Sequence, residues 1–265
     1  MFSWNEVRDF FLTEVADWGR DCAVAGMFLT RLPFPLVKNG AQKGPLAKSM
    51  RAFPLIGVLV GLIAGLVLMI MAAFGLGPLG SAFVGLASGV LVTGALHEDG
   101  LADVADGFGG GNTVEKKLKI MRDSRIGAYG VLAVVFSVGI RAAALGGIAA
   151  PELAAAIMVA AAALSRGLLP ATMYMLKPAR KSGLAQRAGS PDQEGWFKAL
   201  LLGILIGFLF LGPLGGLLAL IAGASAASFV AWFCHQQIGG YTGDTLGAGQ
   251  QSAEVSILIA VAAAL

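Results

Sequence analysis

Apolar residues in this chain fall into long blocks, and polar residues collect between alternate blocks. The block at 55–74 is of bilayer-spanning length. A second, at about 80–96, follows the uncharged link Gly75–Gly80. A third covers about 127–149 and a fourth about 153–176, separated by a short turn with Pro151 and Glu152. Two shorter blocks fit 199–212 and 215–234, turning at Gly212-Pro213. A last run, Val255–Leu265, has eleven residues, too few to cross by itself. The pattern predicts an all-α, polytopic integral membrane helical bundle of about six to seven spans, forming one domain over residues 1–265. Composition agrees: 57% of residues are hydrophobic and 13% charged, against about 25% charged in a soluble domain.

The ends of the chain read differently. Residues 2–20 put Val7, Phe10, Phe11 and Trp18 near one side of a helix with charges between them. That suits an interfacial amphipathic helix within 1–30, or a helix packed on the protein's own polar face. Ala23–Thr30 spans only if it continues this helix, and Pro33 and Pro35 close it. The early acids Glu6, Asp9, Glu14 and Asp17 do not suit a signal peptide. Cys22 and Cys234 have no metal-ligand spacing and read as buried thiols.

Charge sorts by side. The loops at 31–51, 97–125, 177–198 and 235–254 hold nearly all the polar chemistry, while those at 75–80, 149–152 and 212–215 hold only Glu152. Alternating spans put the first set on one side, and the positive-inside rule makes that side cytoplasmic. Residues 31–51 carry Arg31, Lys38, Lys43, Lys48 and Arg51 and no acid. They read as a positive-inside loop that also attracts a phosphorylated substrate.

Against that basic background stands LHEDGLADVADGFGGG, 96–111. Four of the chain's sixteen carboxylates, Glu98, Asp99, Asp103 and Asp106, fall within nine residues. On a helix Asp99, Asp103 and Asp106 share a face and repel, and a divalent cation is the simplest offset. Magnesium fits: it takes hard oxygen ligands and is usually held by a few carboxylates plus phosphate oxygens. Glu98 points off that face. His97 is a candidate general base or a partner of an aspartate. Zinc chemistry of the HExxH kind is excluded, because Leu101 stands where the second histidine belongs.

Two further stretches carry candidate chemistry. MRDSRIGAYG, 121–130, places Arg122 and Arg125 for phosphate recognition, with Asp123 pairing an arginine or joining the metal, and Ser124 as a helix cap. GGYTGDTLGA, 239–248, offers glycines for close backbone approach, the hydroxyls of Thr242 and Thr245, the carboxylate of Asp244, and Tyr241 to stack on a ring. Arg141 and Arg166 lie mid-span without an evident partner.

Together with FLTRLPFP at 28–35, these motifs resemble the adenosylcobinamide-GDP ribazoletransferase (cobalamin synthase) family in order and spacing. Glu98 falls at a variable place of that family's motif. The resemblance implies a magnesium-dependent enzyme of the bacterial inner membrane. It joins adenosylcobinamide-GDP to α-ribazole or its 5′-phosphate and releases GMP. The chemistry of that reaction then places Asp99, Asp103 and Asp106 on magnesium, and Arg122, Arg125 and Arg31 on phosphate charge. His97 or a carboxylate takes the nucleophile's proton, and Thr242 and Asp244 serve the second substrate or the metal. The expected partners are these substrates and the bilayer, with no nucleic acid, and a homo-oligomer stays open. A CDP-alcohol phosphotransferase would carry Ala-Arg where this chain has Ala102-Asp103. A membrane prenyltransferase would show two DxxD-like sites, and here Asp103–Asp106 is one. A cation transporter would hold its charges mid-span.

Overall fold

The computed structural model describes residues 4–34, 46–180 and 182–265. Among them the regular elements are all helical, with no strand. In chain order they are α1 (Trp4–Leu29), α2 (Leu46–Ser49) with a 3-10 turn (Met50–Ala52), and α3 (Phe53–Ala73). Then come α4 (Pro78–Thr93), α5 (Leu96–Gly110), α6 (Val114–Ile120), α7 (Ala128–Gly146) and α8 (Pro151–Met175). The last three are α9 (Leu184–Ala188), α10 (Gln193–Ile238) and α11 (Gly243–Ala262). By length and hydropathy four stretches can cross a membrane, and five do if the bent pair α4–α5 counts as one.

The bundle is built on α8. This helix is buried along most of its length, and α3, α10 and α11 pack around it. The sequence reason is small residues on both sides. In lipid there is little hydrophobic drive between helices, so close backbone packing holds them. Gly57, Gly61 and Gly65 make a small-residue stripe on α3 against Ala162, Val159 and Ala155 of α8. A Cβ at Gly61 would lie 2.5 Å from the Val159 Cα. Gly61→Leu is therefore expected to cost several kcal/mol, more than the ~1–3 kcal/mol usual for overpacking, because backbone is what it strikes. Gly139→Leu, where a Cβ meets nothing within 4 Å, is the control. Melting curves of the two purified variants test this, and equal midpoints would contradict the packing.

The 46 residues of α10 are not one rod. Gly212 has φ 69° and ψ −175°, a conformation open to glycine. A Cβ at Gly216 would sit 2.9 Å from the Phe208 Cα, whereas eight residues of straight helix rise about 12 Å. The chain therefore doubles back here. Gly203 on the first arm faces Leu164 of α8, and Gly223 on the second faces Leu168. The expected turn at Gly212-Pro213 is thus present as a hairpin.

Two boundaries differ from the sequence reading. The second apolar block, read as ending at about 96, stops as a helix at Thr93, because α4 and α5 meet at 90°. The final apolar run is the distal part of α11, which begins inside the second motif. At the other end α1 runs unbroken to Leu29, so Ala23–Thr30 does continue the first helix. Trp18, Cys22, Ala25, Phe28 and Leu29 pack with Met50 and Phe53, and buried Asp21 accepts from Ser49 and Arg51. The distal half of α1 is therefore packed on the protein itself. The side chains of Val7, Phe10 and Phe11, and residues Pro35, Lys38, Lys43 and Lys181, lie outside the described residues.

Candidate active site

The site is set by the bend between α4 and α5. Gly94 (φ 64°) and Ala95 (φ 58°) are both left-handed. Ala95 is the one non-glycine with positive φ among the described residues, and such strain concentrates at functional positions. Arg31 covers the turn. Its N–H donates to Val92 O at 2.7 Å, and its side chain lies against Gly94. From this turn α5 runs at right angles to α4.

The second motif meets α5 there. A Cβ at Gly100 would come within 2.7 Å of Asp244 O, so only glycine lets α5 approach the start of α11 this closely. A capping box starts α11. Thr242 Oγ1 accepts from Thr245 N–H at 3.3 Å, and Thr245 Oγ1 accepts from Thr242 N–H at 2.8 Å. Asp244 in the first turn is thereby aimed at α5, with Thr242 Oγ1–H donating to it at 3.2 Å.

Asp99, Asp103 and Asp244 form one electrostatic group. Burial first, then Asp99 and Asp244, push the half-buried Asp103 carboxyl up to about 7. Arg180 opposes them: it ion-pairs with Asp244 at 3.3 Å and donates to Leu118 O at 3.0 Å. The Arg180 Nε–H is buried and has no partner among the described residues. Beside it an open cleft of about 440 Å³ is lined by Lys119, Arg122, Arg180 and Ser182 with Glu115. Arg180 was visible in the sequence only as one of several bases between Lys177 and Lys198.

Other expected site residues stand elsewhere. Both Asp106 oxygens are taken by backbone, accepting from Gly127 N–H at 2.7 Å and Gly130 N–H at 2.9 Å. Asp106 thus caps α7, the task the sequence gave to Ser124, and ties α7 to α5. Arg125 is 87% exposed and pairs with Asp123 in a two-point contact at 2.7 and 3.0 Å. That pair holds Asp123 well below the usual carboxylate range. Neither joins the carboxylate group. Tyr241 is 1% exposed and packs in the apolar cluster with Met173 and Ala188. Its backbone pairs with Lys177 and Ala179. It is a core residue, not a stacking platform.

His97 is buried, and its Nε2 has no partner among the described residues. Burial, then the charges of Arg166 and Arg141, depress it well below the ordinary histidine range. A buried imidazole held neutral can serve as a hydrogen-bonding group.

Beneath α5 lies a buried charge network that accounts for both mid-span arginines. Arg141 pairs with Glu98 at 3.2 Å and Glu254 at 3.1 Å, and Arg166 with Glu254 at 3.5 Å. Gln251 donates to Glu98 at 3.0 Å and accepts from Ser137 at 2.9 Å, while Gln250 donates to Ser165 at 3.0 Å. Two arginines balance two glutamates, and the network laces α5, α7, α8 and α11 together. The sequence signal for its far half was QQSAE on α11, where Gln250 and Glu254 are one turn apart.

As to magnesium, Asp103, raised to about 7 by burial and then by Asp99 and Asp244, stands among hard carboxylate oxygens of the kind a divalent cation takes. Among the described residues no three His, Cys, Asp or Glu side chains form a ready-made metal cage. An ion that keeps waters and uses phosphate oxygens does not require one.

The fold and this recess define a helical membrane protein with an acidic site, flanked by arginine, at one end of its bundle. The profile described as cobalamin-5-phosphate synthase matches residues 21–262. The chain belongs to that family. It is 44% identical to a protein of Rhizobium etli (strain CIAT 652) over 259 residues, 95% of this chain and 100% of the relative. It is 46% identical to one of Bradyrhizobium diazoefficiens over 243 residues, 92% of this chain and 93% of the relative. A Mesorhizobium japonicum protein is 46% identical over 246 residues, with the same coverage. All three are named adenosylcobinamide-GDP ribazoletransferase. No solved structure matches the chain.

Proposed function

We propose that this chain joins adenosylcobinamide-GDP to α-ribazole or α-ribazole 5′-phosphate and releases GMP. The observation that carries the reading is the meeting of Asp99, Asp103 and Asp244 with Arg180 at the α5–α11 junction. A hydroxyl oxygen of the ribazole bonds to the phosphorus next to cobinamide, and the bond from that phosphorus to the GMP oxygen breaks. Arg180, with its free Nε–H, and Arg122 in the adjoining cleft bind the diphosphate and offset charge on its oxygens. Arg31, over the α4–α5 bend, adds a cation on the same side. With His97 buried and neutral, the hydroxyl proton goes to a carboxylate of the junction.

Magnesium would be held by Asp99, Asp103 and Asp244, and when bound it supplies positive charge toward the phosphoryl oxygens. Asp106 holds the α7 end in place. Because a ligating carboxylate must be ionised, proton and cation compete at Asp103. Its raised pKa of about 7 puts that competition near neutrality. Magnesium affinity is expected to fall about tenfold from pH 8 to pH 6. Cation titrations at both pH values, read by intrinsic fluorescence, check this, and equal affinities would remove Asp103 from the metal site.

The hairpin in α10 and the 20-residue α11 support six to seven crossings, with the polar end on the cytoplasmic side of a bacterial inner membrane. A substrate panel tests the function. The purified protein should release GMP from adenosylcobinamide-GDP only when a ribazole is present. It should leave CDP-alcohol and prenyl-diphosphate pairs unreacted. Turnover of either of those pairs in place of the cobinamide substrate would overturn the reading.

A further inference from the structure

The link between α10 and α11, Gly239–Thr242, is also where a distant segment of the chain is tied down. Tyr241 N–H donates to Lys177 O at 3.0 Å, and Ala179 N–H donates to Tyr241 O at 2.8 Å. These two bonds make a parallel bridge between Pro178 and Tyr241, the one isolated β-bridge among the described residues. Both strands suit it. Pro178 has no N–H to give, and the bridge draws on its two neighbours instead. Gly240 has no room for a side chain: a Cβ there would overlap Lys177 O and come within 3.1 Å of Ala179 N. Tyr241 is 1% exposed and packs in the same apolar cluster as Leu176, so both sides of the bridge are anchored in the core. Arg180 is the next residue beyond the bridge on one side, and Asp244 follows three residues after Tyr241 on the other. The two meet at 3.3 Å, and Arg180 also donates to Leu118 O at 3.0 Å.

We infer that Pro178, Gly240 and Tyr241 are positioning residues for Arg180: their bridge holds its guanidinium against Asp244 at the acidic site. Arg180 comes from the connection between α8 and α9, which has no helix of its own. Ordering such a segment and its long side chain costs entropy, and the bridge meets the backbone part of that cost before a substrate arrives. Gly240 is then a glycine because Lys177 passes over it. Its close approach is to the protein's own backbone, not to a ligand. The role of Arg180 in phosphoryl transfer rests on the function proposed above. Its placement by the bridge rests on the geometry alone.

Two measurements on the full chain in lipid nanodiscs test this. The first is labelling by phenylglyoxal, which adds to accessible guanidinium groups, with each site resolved by mass spectrometry. The Arg180 side chain is 15% exposed and that of Arg125 is 87% exposed, so the wild type should label quickly at Arg125 and slowly at Arg180. Gly240→Ala should speed labelling of Arg180 about tenfold, the worth of the hydrogen bonds lost with the bridge, and leave Arg125 unchanged. The second is GMP release. Gly240→Ala should lower it about 10²-fold, as for a group displaced by about 1 Å. Arg180→Gln should lower it at least as much. Adding Gly240→Ala to Arg180→Gln should cost nothing further, because Gly240 acts through Arg180. A merely structural role would multiply the two losses. Pro178→Gly frees the bridge from its other strand and should move both readouts the same way by about threefold. It carries the test if Gly240→Ala does not fold. Arg180 labelled at the wild-type rate in these variants would overturn the inference, and so would multiplied losses. A labelling response in a protein that releases no GMP supports the bridge and removes the reaction. GMP release without a labelling response removes the bridge assignment alone.

Discussion

Asp103→Asn is expected to lower GMP release about 10³-fold, the size of effect seen when one preorganised electrostatic group is lost. The protein should stay folded. Asp103 stands within the field of Asp99, Asp244 and Asp106, and its own pKa is raised to about 7 by burial and then by that company. The carboxylate is therefore strained by its neighbours when no cation is present. Asparagine keeps the shape and removes the repulsion, so the melting midpoint should hold or rise. A functional residue held at a cost in stability behaves this way, whereas a structural one loses both. The same assay on Asp106→Asn should separate the two aspartates. Asp106 holds two backbone amides of α7, so its loss should lower the midpoint together with the activity.

The largest stability effect is expected from Arg141→Leu. Arg141 is 3% exposed and is paired with both Glu98 and Glu254. Removing it leaves two carboxylates facing one arginine, away from water. Breaking a buried pair by deleting one partner costs about 3–5 kcal/mol. The double change Arg141→Leu with Glu98→Leu leaves Arg166 facing Glu254, a neutral pair, and should recover a large part of the loss. Thermal unfolding of the single and double variants in the same detergent measures this. A double variant no more stable than the single would show that the network is not the unit described here.

The apolar blocks were legible because spanning length is a local property. Five of them map onto α3, α7, α8 and the two arms of α10 within a few residues. The neighbourhood of the two acidic motifs was legible in outline, because alternating spans put Asp99 and Asp244 on one side. What the sequence hid was long-range. An alanine in a left-handed turn gives no local sign, so the right-angle bend at Ala95 was invisible. Asp106 carries the same carboxyl group as Asp103, and only the approach of Gly127 and Gly130 shows that it is a helix cap. Tyr241 reads like a surface aromatic in a glycine loop until the backbone pairing with Lys177 and Ala179 turns it inward. Arg180 had no motif around it and is singled out by its partner across 64 residues. Arg141 and Arg166 looked anomalous alone, because their partners, Glu98 and Glu254, come from α5 and α11.

The most direct test is a magnesium titration of GMP release by the purified protein, with adenosylcobinamide-GDP and α-ribazole 5′-phosphate present. The account predicts no GMP and no corrinoid product in chelator, and recovery of both on adding magnesium. Full turnover in chelator would contradict it, since the α5–α11 carboxylates would then have no cation to hold.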